Sequence, residues 1–171
     1  MKSRIKDALG LPKGVGYCVP MPRELLESPA LAVLPLRSRR TLDGLMVAYA
    51  GEGGKANGSF RAPYDAIVAQ GVRRDVVLDA LVDLHAVGLI GVTRGARSFG
   101  TRQAPSTYRL TWLGTPDGLG PTNEWRSSKT IEEAETRIAN ARERLEAERL
   151  AKRQRRVSRS RAPEESANAA A

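Results

Sequence analysis

Two adjacent arginines, Arg73 and Arg74, stand where hydrophobic spacing predicts the start of a helix. Arginine can donate two parallel hydrogen bonds to O6 and N7 of guanine, and the first turn of a helix meets base edges when the helix enters the major groove. The free N–H groups and the positive end of the helix dipole also favour phosphate here. The pair therefore predicts contact with a polyanion. The alternative is two solvated arginines at the start of a surface helix.

Three further arginines lie in or beside a long loop between two predicted strands. Arg94 precedes the loop, and Arg97 and Arg102 lie within it. A basic loop at the tip of a hairpin can contact phosphates or enter a narrow minor groove. The alternative is a solvated tip whose charges protect a strand edge from aggregation. Arg61, before a short predicted helix, is a further candidate for phosphate contact.

Two more side chains of the predicted helix are candidates for contact with a partner. Leu78 follows Val77, which the helical spacing buries, so we expect Leu78 to face a thymine methyl group or another protein. Partial burial against the hairpin is the alternative. Asp75 suits the first turn of a helix, and it can orient arginines or accept a hydrogen bond from cytosine.

A basic run without any acid lies near the C-terminal end. Such a run binds the phosphate backbone of DNA or RNA without sequence preference, and each neutralised phosphate steepens the salt dependence of binding. Its members are Arg149, Lys152, Arg153, Arg155, Arg156, Arg159 and Arg161.

The composition favours a polyanionic partner and excludes several other classes of site. The 171 residues include 28 lysines and arginines against 19 aspartates and glutamates, a formal net charge of +9. This excess favours nucleic acid, with an anionic membrane surface as the competing interpretation. One cysteine, Cys18, and one histidine, His85, exclude an internal disulfide and a zinc finger. The chain has no apolar stretch long enough for a membrane span and no signal peptide pattern, so we expect a cytoplasmic protein.

The sequence predicts no catalytic site, metal site, cofactor or small-molecule ligand. Residues 51–55 resemble a phosphate-binding loop, but Tyr49 stands where G-x-x-x-x-G-K-[ST] needs its first glycine and Ala56 where it needs a hydroxyl. His85 has neither a paired nucleophile nor a metal cluster around it in the sequence pattern. We therefore expect a binding protein and not an enzyme.

The elements that must position these residues follow from proline, glycine and hydrophobic spacing. These divide the chain into a Pro/Gly-rich arm (1–35), a folded domain (36–114), a linker (115–126), a charged helix (127–156) and a basic or disordered tail (157–171). Within 36–114 the pattern predicts a helix capped by Ser38, a short helix opened by Pro63 and a third helix ended by Gly88. Two strands, 89–94 and 107–113, follow. This order predicts an α+β winged helix-turn-helix, a three-helix core with a β-hairpin wing, plus the charged C-terminal helix.

Residues 72–90 (VRRDVVLDALVDLHAVGLI) resemble the recognition-helix signature V-S-R-x-T-V-R-E-A-L-x-x-L-x-x-x-G-L-I of bacterial GntR-like regulators. They depart from it at Arg73, Val76 and Leu78, where the signature has Ser, Thr and Arg. More broadly, 57–58 and 105–112 resemble the helix-turn-helix proteins of bacterial plasmids and prophages. The resemblance implies a winged helix that binds double-stranded DNA.

Two functions from different classes remain open. The first is sequence-specific binding of double-stranded DNA, as a transcriptional regulator or as an accessory factor in plasmid or phage replication or partition. The second is a protein-interaction module of the same fold, docking a partner through Leu78 and the hairpin while the basic tail binds RNA or a nucleic-acid complex. Ile131, Ile138 and Leu145 repeat every seven residues, so a homodimer through the C-terminal helix is the alternative to a solvated helix.

Overall fold

The computed structural model describes residues 16–95 and 105–168, with the backbone only for residue 157 and for residues 159–168. The described chain is an α+β protein with six α-helices, two short 3₁₀ turns and a two-stranded antiparallel sheet. The helices are α1 (Arg23–Leu26), α2 (Pro29–Ala32), α3 (Leu36–Gly51), α4 (Tyr64–Val68), α5 (Val77–Ala86) and α6 (Ile131–Asn168). The strands are β1 (Ile90–Thr93) and β2 (Thr107–Leu110), and the 3₁₀ turns span Arg74–Val76 and Glu124–Ser127.

Helix α3 begins three residues earlier than the sequence predicts. Pro35 occupies the N-cap position in an extended conformation, with φ −65° and ψ 157°, and the predicted cap, Ser38, lies inside the helix. Ser38 is fully buried, and its hydroxyl donates to a carboxylate oxygen of Asp83 at 2.7 Å. The serine therefore joins α3 to α5 and does not cap its own helix.

Gly88 ends the helical segment that contains α5, as predicted, and for two reasons. Its φ of +75° lies in the left-handed region, which a residue with a Cβ rarely adopts. A Cβ at this position would also lie 2.6 Å from the backbone carbonyl carbon of Glu124. The turn after α5 therefore depends on glycine for its conformation and for the close approach of the second 3₁₀ turn.

The two strands form a short hairpin that is tied back to the helices. Ile90 pairs with Leu110 and Thr93 with Thr107. The Asn57 side chain is buried. Its Oδ1 accepts from the Leu110 N–H at 2.7 Å, and its Nδ2 donates to the Leu110 carbonyl at 3.0 Å. Asn57 thus fixes the position of β2 relative to the loop after α3.

The core extends beyond the predicted folded domain of 36–114 on both sides. One continuous hydrophobic cluster includes side chains from the predicted arm, from the predicted linker and from α6. These additional core residues are Leu25, Ala30, Leu31, Leu34, Trp125, Ala134 and Ile138. The arm and the start of the charged helix are therefore parts of the same folded unit as the central helices.

Helix α6 begins at Ile131, four residues later than predicted, and extends beyond the predicted end at 156. The Thr130–Glu133 capping pattern is present, since the Glu133 N–H donates to the Thr130 hydroxyl at 3.2 Å. The helix then runs through 168, including residues that the sequence predicts to be disordered. No helix in the described ranges is both long and apolar enough to cross a membrane.

Candidate nucleic-acid interface

The two arginines at the start of the predicted recognition helix are both exposed. The helix begins with a 3₁₀ turn over Arg74–Val76, and α-helical geometry starts only at Val77. Arg73 precedes the turn in an extended conformation, with φ −64° and ψ 137°. The side chains of Arg73 and Arg74 are 81% and 66% exposed. Both guanidinium groups are therefore accessible to a partner at this end of α5.

Exposed acids hold these two arginines in place. Arg73 forms two hydrogen bonds with Asp75, at 3.1 and 2.6 Å, and Arg74 pairs with Asp65 of α4. Exposed ion pairs of this kind contribute little to stability, typically about 0 to 1 kcal/mol. A phosphate group can therefore replace the carboxylates without a large loss of folding free energy.

A cavity of about 850 Å³ lies beside the exposed end of α5, and we call it the α5 groove. Its lining residues come from α4, α5, the hairpin and one position of α6, Ala141. They include Arg61, Tyr64, Arg74, Leu78, Val92 and Arg94. The described lining thus brings together Arg61, Arg74 and Arg94 from three separate segments and contains no acid.

Leu78 is exposed to 41%, as expected for a residue that points partly away from the core, and it lines the α5 groove. Arg94 follows β1 and is exposed. The other two predicted hairpin arginines, Arg97 and Arg102, lie outside the described residues. Of the predicted hairpin contacts, the structure therefore places only Arg94.

The opposite half of α5 carries a carboxylate, Asp83, that is fully buried. Arg142 of α6 donates to both of its oxygens, at 2.7 and 2.8 Å, and Ser38 donates at 2.7 Å. Arg37 contributes a second positive charge at 3.7 Å. The bond with Asp83 raises the pKa of Arg142 above its usual value. These contacts join α3, α5 and α6 around one carboxylate.

A second pair shows the direction in which α6 crosses α5. Arg149 bonds to Asp79 of α5 and to Glu146 of its own helix. Arg149 lies two turns after Arg142, whereas Asp79 lies one turn before Asp83, so the two helices run antiparallel. The outer side of α5 that carries the two aspartates is therefore covered by α6, and the 3₁₀ turn and the side with Leu78 remain exposed.

The basic run has two parts in the structure. Arg149 is committed to the ion pairs just described. Lys152, Arg153, Arg155 and Arg156 are exposed on α6, and Arg159 and Arg161 follow in the same helix with only their backbone described. Because α6 is antiparallel to α5, these residues continue toward the end of α5 that holds Arg73 and Arg74. The structure therefore places two separately predicted basic groups on neighbouring ends of packed helices.

The buried anchor at Asp83 was missed in the sequence, although a signal for it existed. An acid between Val82 and Leu84 interrupts an otherwise apolar stretch of helix. Buried acids in proteins need a partner, so this position indicated a contact with a distant base. The partner, Arg142, stands 59 residues later and does not follow from local pattern.

Part of the apolar seven-residue repeat of α6 packs against other helices of the same chain. Ile138, together with Ala134, is buried in the core described above, while Ile131 remains 49% exposed. Ile138, one of the three positions of the predicted dimer seam, is thus already covered by this chain's own core, in which α6 packs against α2 and α5.

Within the parts of the chain that the structure describes, no three His, Cys, Asp or Glu side chains are grouped as a metal ion would require. His85 is exposed and lines the α5 groove. No family model, curated protein or solved structure matches the chain in comparisons with known proteins.

Proposed function

We propose that this protein is a winged helix-turn-helix protein that binds double-stranded DNA in a sequence-specific manner. The order α3, α4, α5, β1 and β2 supports this interpretation, because a helix pair followed by a two-stranded ribbon is the arrangement of that fold. In this proposal α5, with the 3₁₀ turn that precedes it, is the recognition helix, and the hairpin is the wing. The protein acts as a transcriptional regulator or as an accessory factor in plasmid or phage replication or partition.

The observation that carries the proposal is the exposure of Arg73 and Arg74 at the end of α5 that α6 leaves uncovered. In a helix that docks into the major groove, residues at this end contact base edges. Arg61 and Arg94 lie around the same end and supply phosphate contacts that fix the orientation of the protein on the duplex. Asp75 orients Arg73 in the absence of DNA.

The exposed bases of α6 supply the part of the affinity that does not depend on sequence. Lys152, Arg153, Arg155 and Arg156 follow Arg149 on a helix whose direction leads past the recognition end of α5. A duplex bound at that end would therefore extend along this basic run. Each phosphate that the run neutralises changes the slope of log affinity against log salt by about 0.9.

The test is the affinity of the whole protein for a duplex selected from random sequences and for a scrambled duplex of equal length, measured by fluorescence anisotropy at about 0.1 M salt. Replacing both Arg73 and Arg74 by alanine should make the affinities for the selected and the scrambled duplex nearly equal. The matched control replaces Arg23 and Arg126, which are exposed elsewhere and carry the same charge, and should keep the ratio.

Truncation after Glu148 separates the two sources of affinity. The truncated chain should bind both duplexes more weakly, with a flatter salt dependence, while it still prefers the selected sequence. A truncated chain that loses the preference but keeps the salt slope would contradict the roles assigned to α5 and α6.

The exposure of Leu78 favours a second candidate, a protein-interaction module whose basic tail binds RNA. In that case duplex DNA would fail to bind at about 0.1 M salt while single-stranded RNA binds. The same anisotropy assay with a labelled RNA oligonucleotide distinguishes the two candidates.

A further inference from the structure

The α5 groove has an apolar floor, and contact with a double helix does not require apolar surface of this kind. Leu78, Leu81 and Val92 are apolar residues of its lining, and we call them the floor. Phosphate contacts need positive charge, and base edges in the grooves of a duplex are met mainly by polar groups. The faces of the bases are apolar, but in a duplex they are stacked and hidden. An apolar floor therefore fits bases that have been unstacked.

An aromatic side chain stands at the edge of this floor. Tyr64 is half-buried in the lining, and the guanidinium carbon of Arg74 lies 6.0 Å from the centre of its ring. Proteins that bind single strands combine a positively charged groove with aromatic rings on which bases stack, and arginine adds to such stacks. Tyr64 and Arg74 together have the chemistry of such a platform.

The charges around the groove fit a strand with several phosphates. Arg61 precedes α4, Arg74 begins the 3₁₀ turn, and Arg94 follows β1, so the three bases stand on three different walls. Asp65, which pairs with Arg74, is 83% exposed, and a phosphate can take its place. A strand with several phosphates can contact arginines on separate walls at once, whereas a ligand with a single carboxylate could contact only one of them.

We propose that the α5 groove binds single-stranded DNA, with unpaired bases on the apolar floor and Tyr64, and with phosphates on Arg61, Arg74 and Arg94. The inference rests on the proposed function, because Arg61, Arg74 and Arg94 serve both the duplex surface and the groove. Binding of both forms of DNA by adjoining surfaces suits a protein that acts where a duplex is opened. Among the roles left open above, it favours an accessory factor in replication.

The first experiment measures anisotropy of a labelled oligothymidine of about 12 nucleotides with the whole protein. Tyr64→Ala should weaken this binding by about tenfold, since loss of one stacked base has an effect of this order. Tyr64→Phe keeps the ring and should bind as the unmodified protein does. Loss in both variants, or in neither, would overturn the stacking role.

A matched pair of charge variants tests the floor without relying on Tyr64. Leu78→Glu places a carboxylate in the groove, and Val47→Glu places the same charge on α3, where the side chain is 57% exposed and does not line the groove. Leu78→Glu should lower the affinity for oligothymidine by tenfold or more, and Val47→Glu by about twofold at most. Equal losses would mean that only overall charge matters, and the proposal would be overturned.

The duplex measurement keeps this inference separate from the proposed function. If the unmodified protein binds duplex DNA but not oligothymidine, the groove proposal fails and duplex recognition stands. If Tyr64→Ala loses oligothymidine but keeps the duplex, both are supported. Failure of the unmodified protein to bind either form of DNA would overturn both.

Discussion

The two halves of helix α5 carry the same chemical groups in opposite surroundings. At the 3₁₀ turn, arginines of the recognition end pair with Asp75 and Asp65, and every member of these pairs is exposed. In the second half, Asp83 is buried and held by Arg142 of α6. An arginine–aspartate pair in water is weak and can be exchanged for a phosphate, whereas a buried carboxylate cannot lose its partner without a large cost.

The difference teaches which basic residues of a positively charged protein are available to a partner. Net charge and spacing identify Arg149 and Arg153 alike as members of one basic run. In the structure Arg149 holds α6 against α5, while Arg153 is exposed. Burial of the partner carboxylate therefore separates the arginines that hold helices together from those whose guanidinium groups are accessible at the surface.

The largest effect is expected at the buried end. Arg142→Ala removes the two hydrogen bonds to Asp83 and leaves its charge buried, which should lower the free energy of unfolding by about 3 kcal/mol. Urea denaturation followed by circular dichroism measures the change. Arg144→Ala, an exposed arginine on the same helix, is the control and should change it by less than about 0.5 kcal/mol. Equal effects would mean that the buried contact is unimportant.

The second-largest effect is expected on DNA affinity, and the free energy of unfolding should stay unchanged. Replacing Lys152, Arg153, Arg155 and Arg156 by glutamine should flatten the slope of log affinity against log salt, by at most about 3.6 if all four contact phosphates. Affinity for selected and scrambled duplexes should fall together. A change in their ratio, or an unchanged slope, would argue against phosphate contact by this part of α6.

The Arg149–Asp79 pair lies between the two extremes, because both side chains are partly exposed. Its coupling free energy should be no more than about 1 kcal/mol. A double-mutant cycle with Arg149→Ala and Asp79→Asn, read out as the free energy of unfolding, measures it. A coupling free energy of about 3 kcal/mol, as large as the effect expected for Arg142→Ala, would mean that the arginine–aspartate pairs do not weaken from the buried half of α5 toward its exposed end.

The smallest effect on folding is expected at the recognition end. Asp65→Asn and Asp75→Asn should change the free energy of unfolding by less than about 0.5 kcal/mol each, since their ion pairs are exposed. Both variants should bind duplex DNA more tightly, because a carboxylate that repels phosphate is lost. Isothermal titration with one duplex tests this sign, and weaker binding would indicate that the acids are needed to orient the arginines.

Local signals in the sequence predicted much of the central fold. Gly88 ends the helical segment because the turn needs positive φ, and the alternating residues of 107–110 form a strand as expected. Such features depend on neighbours in the chain. The exposure of Leu78 followed from helical spacing for the same reason, whereas Arg73 and Arg74 lie before the first α-helical residue.

What could not be predicted depends on contacts between distant residues. The buried side chain of Asn57 bonds to backbone groups of Leu110, 53 residues away. The α6 repeat was predicted to face either solvent or a second copy of the chain, and Ile138 of that repeat packs into the chain's own core. Periodicity shows that a helix has an apolar face, but the surface that covers this face is decided by the whole fold.

The central claim is that the exposed end of α5 recognises sequence in double-stranded DNA. Its most direct test is a hydroxyl-radical footprint on a duplex selected from random sequences, with the unmodified protein and with the variant in which Arg73 and Arg74 are alanine. The unmodified protein should give a defined footprint that the variant loses, while the urea denaturation midpoint of the variant stays unchanged. A folded variant that gives the same footprint would contradict it.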